Sequence, residues 1–199
     1  MYYRRHLPHW IPDSAIFFVT WRLAGSAAPC EPEILTAENT GRLGFLAKDE
    51  RLDGCGPFWL GDSRIAEMVE SALRYGAATR GSYQLHAWVI MPNHVHVVLE
   101  PKIPLATIMR WLKGRTARMA NQILGRTGLP FWQDESFDHW VRNADELAAI
   151  ISYVEENPVK AGFVLSNELW RWSSARLPNR TDDENRSSVL HGFTRNAGP

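Results

Sequence analysis

The stretch from Tyr83 to Leu99, Tyr-Gln-Leu-His-Ala-Trp-Val-Ile-Met-Pro-Asn-His-Val-His-Val-Val-Leu, leaves this chain little choice of local structure. Two runs rich in β-branched and aromatic residues flank Pro92-Asn93, a pair that signals a tight turn. The reading is a β-hairpin, with strands over 83–91 and 94–99. The second strand opens with His94-Val95-His96. Strand side chains alternate faces, so the two histidines point the same way, about 7 Å apart along the strand, and Val95 points the other way. Imidazoles so placed can both reach a divalent ion. An arbitrary His-x-His is more often a pair of polar side chains on a wet strand. Here the pair interrupts Val-His-Val-Val-Leu, where a histidine is costly without a partner, and a ligand pair becomes the better reading.

The rest of the chain supplies what covers the hairpin. Residues 15–23, Ala-Ile-Phe-Phe-Val-Thr-Trp-Arg-Leu, read as a strand closed by Gly25. Residues 62–78 read as an amphipathic helix with Asp62 as N-cap and Ile65, Met68, Val69 and Leu73 on one stripe. A long basic helix is expected over 104–125, with Ile108, Trp111, Leu112 and Met119 as core contacts. The stretch 131–142 reads as a loop with a short strand at 139–142. A last long helix is expected over 144–157, ending there because Pro158 disfavours helix in the residue before it. Val159–Val164 is a candidate return to the sheet edge. The order strand, helix, hairpin, helix, strand, helix predicts an α+β fold, a ferredoxin-like antiparallel sheet flanked by helices. One domain over 1–177 is expected, with an irregular insertion near 26–60 that includes a short helix around 31–37, and a polar tail over 178–199.

Charge is balanced, with 22 Lys plus Arg against 22 Asp plus Glu, which argues against an indiscriminate nucleic-acid binder. The distribution is uneven. Between Glu100 and Arg126 six bases (Lys102, Arg110, Lys113, Arg115, Arg118, Arg126) face one acid, whereas 131–170 is acidic. Cys30 and Cys55 have neither metal-type spacing nor a disulfide framework and read as free thiols in a reducing cytoplasm. No apolar run approaches the length of a membrane span, and the first residues lack a signal-peptide core, so a cytoplasmic location is expected.

Chemistry is also written at Tyr153-Val-Glu-Glu-Asn157-Pro158. On a helix, residues four apart share a face, so Tyr153 and Asn157 are neighbours. A phenol can attack phosphorus as a covalent nucleophile, and an amide oxygen is a hard, neutral metal ligand. Taken alone, the pair reads equally as a packed Tyr with an Asn at the helix end. The basic helix offers Arg110, Lys113, Arg115 and Arg118 to phosphates, or simply to solvent. His86 reads as a packed or hydrogen-bonded residue, nothing in its spacing places His139 at a site, and Trp132 and Trp140 read as core.

Jointly these segments resemble a known family. The run Trp88-Val-Ile-Met-Pro-Asn-His-Val-His-Val-Val-Leu99 is similar to the His-hydrophobic-His (HUH) segment of single-tyrosine transposases. Phe131–Arg142 resembles the segment before their tyrosine helix, and Tyr153-Val-Glu-Glu-Asn-Pro-Val-Lys-Ala-Gly162 resembles the signature of REP-associated tyrosine transposases. Arg4–Trp10 and Trp170–Ala175 are similar to that group as well, so the resemblance covers roughly 4–25 and 60–177. It implies the HUH nuclease fold and a metal-dependent single-strand DNA endonuclease and strand transferase that cuts beside DNA hairpins through a 5′-phosphotyrosine. By residue matching, Tyr153 is the nucleophile, and His94, His96 and Asn157 hold Mg²⁺ or Mn²⁺. Arg4, Arg5, Arg110, Lys113, Arg115 and Arg118 would grip the hairpin and its single-stranded flank, in a monomer or a homodimer. The 26–60 segment and the neutral charge depart from the pattern. Two alternatives stand beside it: a catalytically silent hairpin-binding protein on the same fold, favoured if Tyr153 is buried away from the histidines, and an unrelated metal hydrolase, which usually needs more carboxylate or His ligands than follow here.

Overall fold

The structure, a computed structural model, describes residues 15–26 and 56–176. The N-terminal arm with Arg4 and Arg5, most of the expected insertion with its short helix and both cysteines, and the polar tail lie outside the described residues.

In chain order the elements are β1 (Ile16–Arg22), α1 (Ser63–Ala78), β2 (Tyr83–Ile90), β3 (His94–Pro101), α2 (Leu105–Ile123), β4 (Phe137–Val141) and α3 (Ala144–Lys160). The sheet runs β2-β3-β1-β4 with antiparallel neighbours throughout. That is the ferredoxin-like order expected from the sequence, with the Pro92-Asn93 turn joining β2 to β3 as read. Asp62 caps α1 by accepting from the Arg64 backbone N–H, and the predicted stripe Ile65, Met68, Val69, Leu73 is buried.

The sheet is covered on both faces. Phe17, Val19 and Trp21 of β1 join Val95, Val97 and Leu99 of β3 in the larger core, sealed by α1 and α2. Phe18 and Val98 turn the other way, with Ala87 and Val89 of β2, and meet Ile150, Tyr153 and Val154 of α3. A bulge between Leu85 and Ala87 resets the alternation of β2, which keeps Trp88 on the first face and Ala87 on the second.

Four expectations need correction. The last helix does not stop at Asn157: α3 continues to Lys160 with Pro158 inside it. Pro158 falls in the final turn, where its missing N–H removes a single helical bond. The end is then closed by Ala161 N–H to Asn157 O, Gly162 N–H to Val159 O and Phe163 N–H to Pro158 O, with Gly162 at φ 75°. Val159–Val164 therefore does not return to the sheet. The segment that does is Trp172–Ser174, which bonds to Trp88 and Ile90 at the outer edge of β2. The last strand begins at Phe137, two residues before the expected start, because its pairing with β1 extends to Thr20. Trp132 is core, but Trp140 is 41% exposed on the sheet's edge strand. Of the α2 contacts, Ile108 and Leu112 are buried, and Trp111 and Met119 pack on the core only in part.

Candidate active site

The α3 face of the sheet is apolar until it reaches the end where β3 begins. There Thr20 stands opposite His96, and Arg22 opposite His94. Residues paired across antiparallel strands share a face, so the four side chains form one cluster beneath α3. His94 and His96 are fully buried. The histidines share a face as the alternation predicted, and their rings lean together, with Nε2 atoms 2.8 Å apart.

Each ring has an outer partner. Asn93 Oδ1 lies 2.7 Å from His94 Nδ1, and Thr20 Oγ1 lies 2.9 Å from His96 Nδ1. An amide oxygen can only accept, which places the proton of neutral His94 on Nδ1 and leaves its Nε2 lone pair facing His96. His96 Nε2 then donates to that lone pair while its Nδ1 accepts from Thr20. Burial holds both imidazoles below their ordinary pKa, aided for His94 by His96 and then Arg22; His96, with Arg22 as the lesser cause, is brought to about 3. The rings are therefore neutral at physiological pH, the state in which an imidazole ligates metal.

α3 brings the tyrosine to this cluster. Its start is fixed by Asn143, whose Oδ1 accepts from Glu146 N–H, and by buried Glu146, which accepts from Arg142 N–H and lies 3.1 Å from His139. Tyr153 packs edge-on to Phe18, and its ring centre lies 5.7 Å from that of His96. Lys160 Nζ sits 5.0 Å from the same Tyr153 ring, two helical turns further along. Asn157 is buried between them on the helix, and its Oδ1 has no hydrogen-bond partner among the described residues. A buried carbonyl oxygen without a donor is costly, and a cation is one species that would satisfy it. Among the described residues no three His, Cys, Asp or Glu side chains cluster as a metal site.

The basic helix is less coherent than its sequence. Arg110 and Arg118 are exposed. Lys113 is half-buried, and its Nζ donates to the backbone oxygens of Asp134 and Glu135 at 2.7 and 3.3 Å. Arg115, two residues on and so on the opposite flank, lies near Tyr75 and Arg80. The four do not share one surface. His86 sits within 3.9 Å of Glu100, away from the histidine pair. Thr20, Arg22 and Asn93 escaped the sequence reading. The available signal was polar residues at alternate positions of the otherwise apolar Ile-Phe-Phe-Val-Thr-Trp-Arg strand.

Comparisons with known proteins bear on the family and the fold. Residues 60–157 match the family model described as IS200-like transposase. A REP-associated tyrosine transposase of Escherichia coli K12 is 28% identical over 94 residues, covering 46% of this chain and 54% of that protein, so the chain spans about half the length of this curated relative. A solved structure of a REP-associated tyrosine transposase bound to a REP hairpin superposes with TM-score 0.54 at 16% identity, covering 92% of this chain and 87% of that one, a likeness of fold. The chain carries an IS200-like transposase domain over residues 60–157, a span that holds both histidines, Tyr153 and Asn157.

Proposed function

We propose that this protein is a metal-dependent single-strand DNA endonuclease and strand transferase that cuts beside DNA hairpins, with Tyr153 as the nucleophile. The observation that carries the reading is the packing of Tyr153 against His96 within one chain, beside an Asn157 oxygen that lacks a donor. The family match and the names of the relatives support it, one of them solved with a REP hairpin.

His94 and His96, through Nε2, and Asn157, through Oδ1, would hold Mg²⁺ or Mn²⁺. When bound, such an ion polarises the scissile phosphate and offsets charge on the leaving oxygen. Thr20 suits His96 to that task, because a hydroxyl can accept from Nδ1–H as readily as donate to bare Nδ1, so either tautomer is held. The Tyr153 oxygen, having given up its proton, forms a bond to phosphorus. The P–O3′ bond breaks, and O3′ takes a proton to become a 3′-hydroxyl. The fragment downstream of the cut stays on Tyr153 through its 5′-phosphate, a phosphodiester of similar energy, so attack by another 3′-hydroxyl restores a continuous strand and frees the phenol. Asn93 fixes the His94 ring, and Phe18 excludes water from the rings it touches.

Tyr153 is buried, at 3% exposure, but against His96 and not away from it, so the silent hairpin binder stands only as the second reading. Both are tested by incubating the protein and Tyr153→Phe with labelled single-stranded oligonucleotides that carry hairpins from the DNA beside its gene, with and without Mn²⁺. A covalent protein–DNA band that needs both metal and Tyr153 is expected. Retention of DNA in a native gel with no covalent band would establish the silent binder instead.

A further inference from the structure

The ligand set just proposed is electrically neutral: two imidazoles and an amide. A carboxylate-bearing site would offset part of a dication's charge, and this one would not. The cluster instead adds positive charge from the chain. Arg22 ends β1 directly opposite His94, and Lys160 stands over the Tyr153 ring. A site that gathers cations around neutral ligands is complementary to an anion entering from outside.

Arg22 is built to be that contact. Phe18, Thr20 and Arg22 lie in one row on the α3 face, running from the apolar interior to the end of the strand. Thr20 is buried, whereas Arg22 is partly exposed at the end of the strand. Its backbone is pinned: Gln133 N–H donates to Arg22 O at 2.9 Å, and Leu23 N–H donates to Asn93 O at 2.9 Å. The strand that carries Thr20 thus delivers the guanidinium to the same end of the sheet as His94. A guanidinium beside the histidine pair can match two oxygens of a phosphodiester.

We propose that Arg22 binds the non-bridging oxygens of the phosphate that Tyr153 attacks, acting as a phosphate-holding residue even before metal is present. This rests on the active-site reading above. Its role differs from that of a general DNA contact, because it would address one linkage only. The expected consequence is selective: neutralising that one linkage should matter to the native protein and not to a variant lacking the guanidinium.

The test uses the full chain in EDTA, with a single-stranded oligonucleotide carrying a hairpin and both flanks from the DNA beside the gene. One methylphosphonate, which is uncharged, is walked through the linkages, and affinity is read by fluorescence anisotropy. The native protein should lose about tenfold in affinity at one linkage, Arg22→Gln should lose nothing further there, and Arg22→Lys should keep part of the discrimination. Thermal unfolding checks that each variant is folded, and the Lys variant keeps the test decisive if the Gln variant is not. The proposal is overturned if Arg22→Gln discriminates at every linkage as the native protein does, or if the coupled linkage differs from the one cut when Mn²⁺ is added. If a linkage couples to Arg22 and no covalent product forms with metal, the phosphate contact stands and the strand-transfer reading fails.

Discussion

Odd and even positions of β1 live in different surroundings. Phe17, Val19 and Trp21 enter a layer of hydrocarbon closed by α1 and α2, in which Tyr83 is tied by its hydroxyl to Leu73 O at 2.7 Å. Phe18, Thr20 and Arg22 face α3, where the apolar layer is thin and gives way to two imidazoles, a hydroxyl and two amides. Hydrocarbon burial is non-directional and strongly favourable, so the first face can supply most of the stability. Buried polar groups cost free energy unless each is partnered, so the second face holds its arrangement only because the first secures the sheet. The molecule separates the task of folding from the task of chemistry across one layer of backbone.

That comparison can be broken or sharpened by substitution. The largest effect belongs to the first face. Leu73→Ala, at a fully buried position, should cost about 2–5 kcal/mol in urea unfolding while leaving strand cleavage per folded molecule unchanged. Next is Gly76→Ala. A Cβ there would collide with the Tyr83 hydroxyl and ring, and the expected cost is about 1–3 kcal/mol, read as a lower melting temperature. Asn143→Ala removes the N-cap of the tyrosine helix and should cost about 1 kcal/mol. The smallest effect on stability should come from the second face itself. Asn157→Ala deletes a buried oxygen with no hydrogen-bond partner among the described residues, so unfolding should shift by under about 1 kcal/mol. Mn²⁺ affinity by calorimetry should nevertheless fall by at least about tenfold. A large stability loss with unchanged Mn²⁺ affinity would make Asn157 a packing residue and erase the division between faces.

Much of the frame was legible from residue order. The 83–99 hairpin, the Asp62-capped helix and the shared face of the two histidines all follow from local periodicity, which the sequence carries directly. The limits came where a property depends on pairing between distant segments. Nothing in Ile-Phe-Phe-Val-Thr-Trp-Arg shows that Thr20 will stand against His96 and Arg22 against His94, since the β1–β3 register is set by the whole sheet. The same limit explains the strand that begins at Phe137 and the exposure of Trp140. Pro158 misled for another reason: its penalty depends on position within the helix, and the last turn tolerates it. Lys113 and Arg115 read as one basic stripe by composition, yet the 100° step of a helix sends them to opposite flanks.

The most direct test of the central claim is to find which atom of the protein carries the DNA. Native protein would be reacted with the hairpin oligonucleotide and Mn²⁺, digested, and its peptides sequenced by mass spectrometry. The account predicts a single modified peptide with the 5′-phosphate on the Tyr153 oxygen, and none from His96→Ala. A phosphoryl group on any other side chain, or cleavage that leaves every tyrosine unmodified, would contradict it.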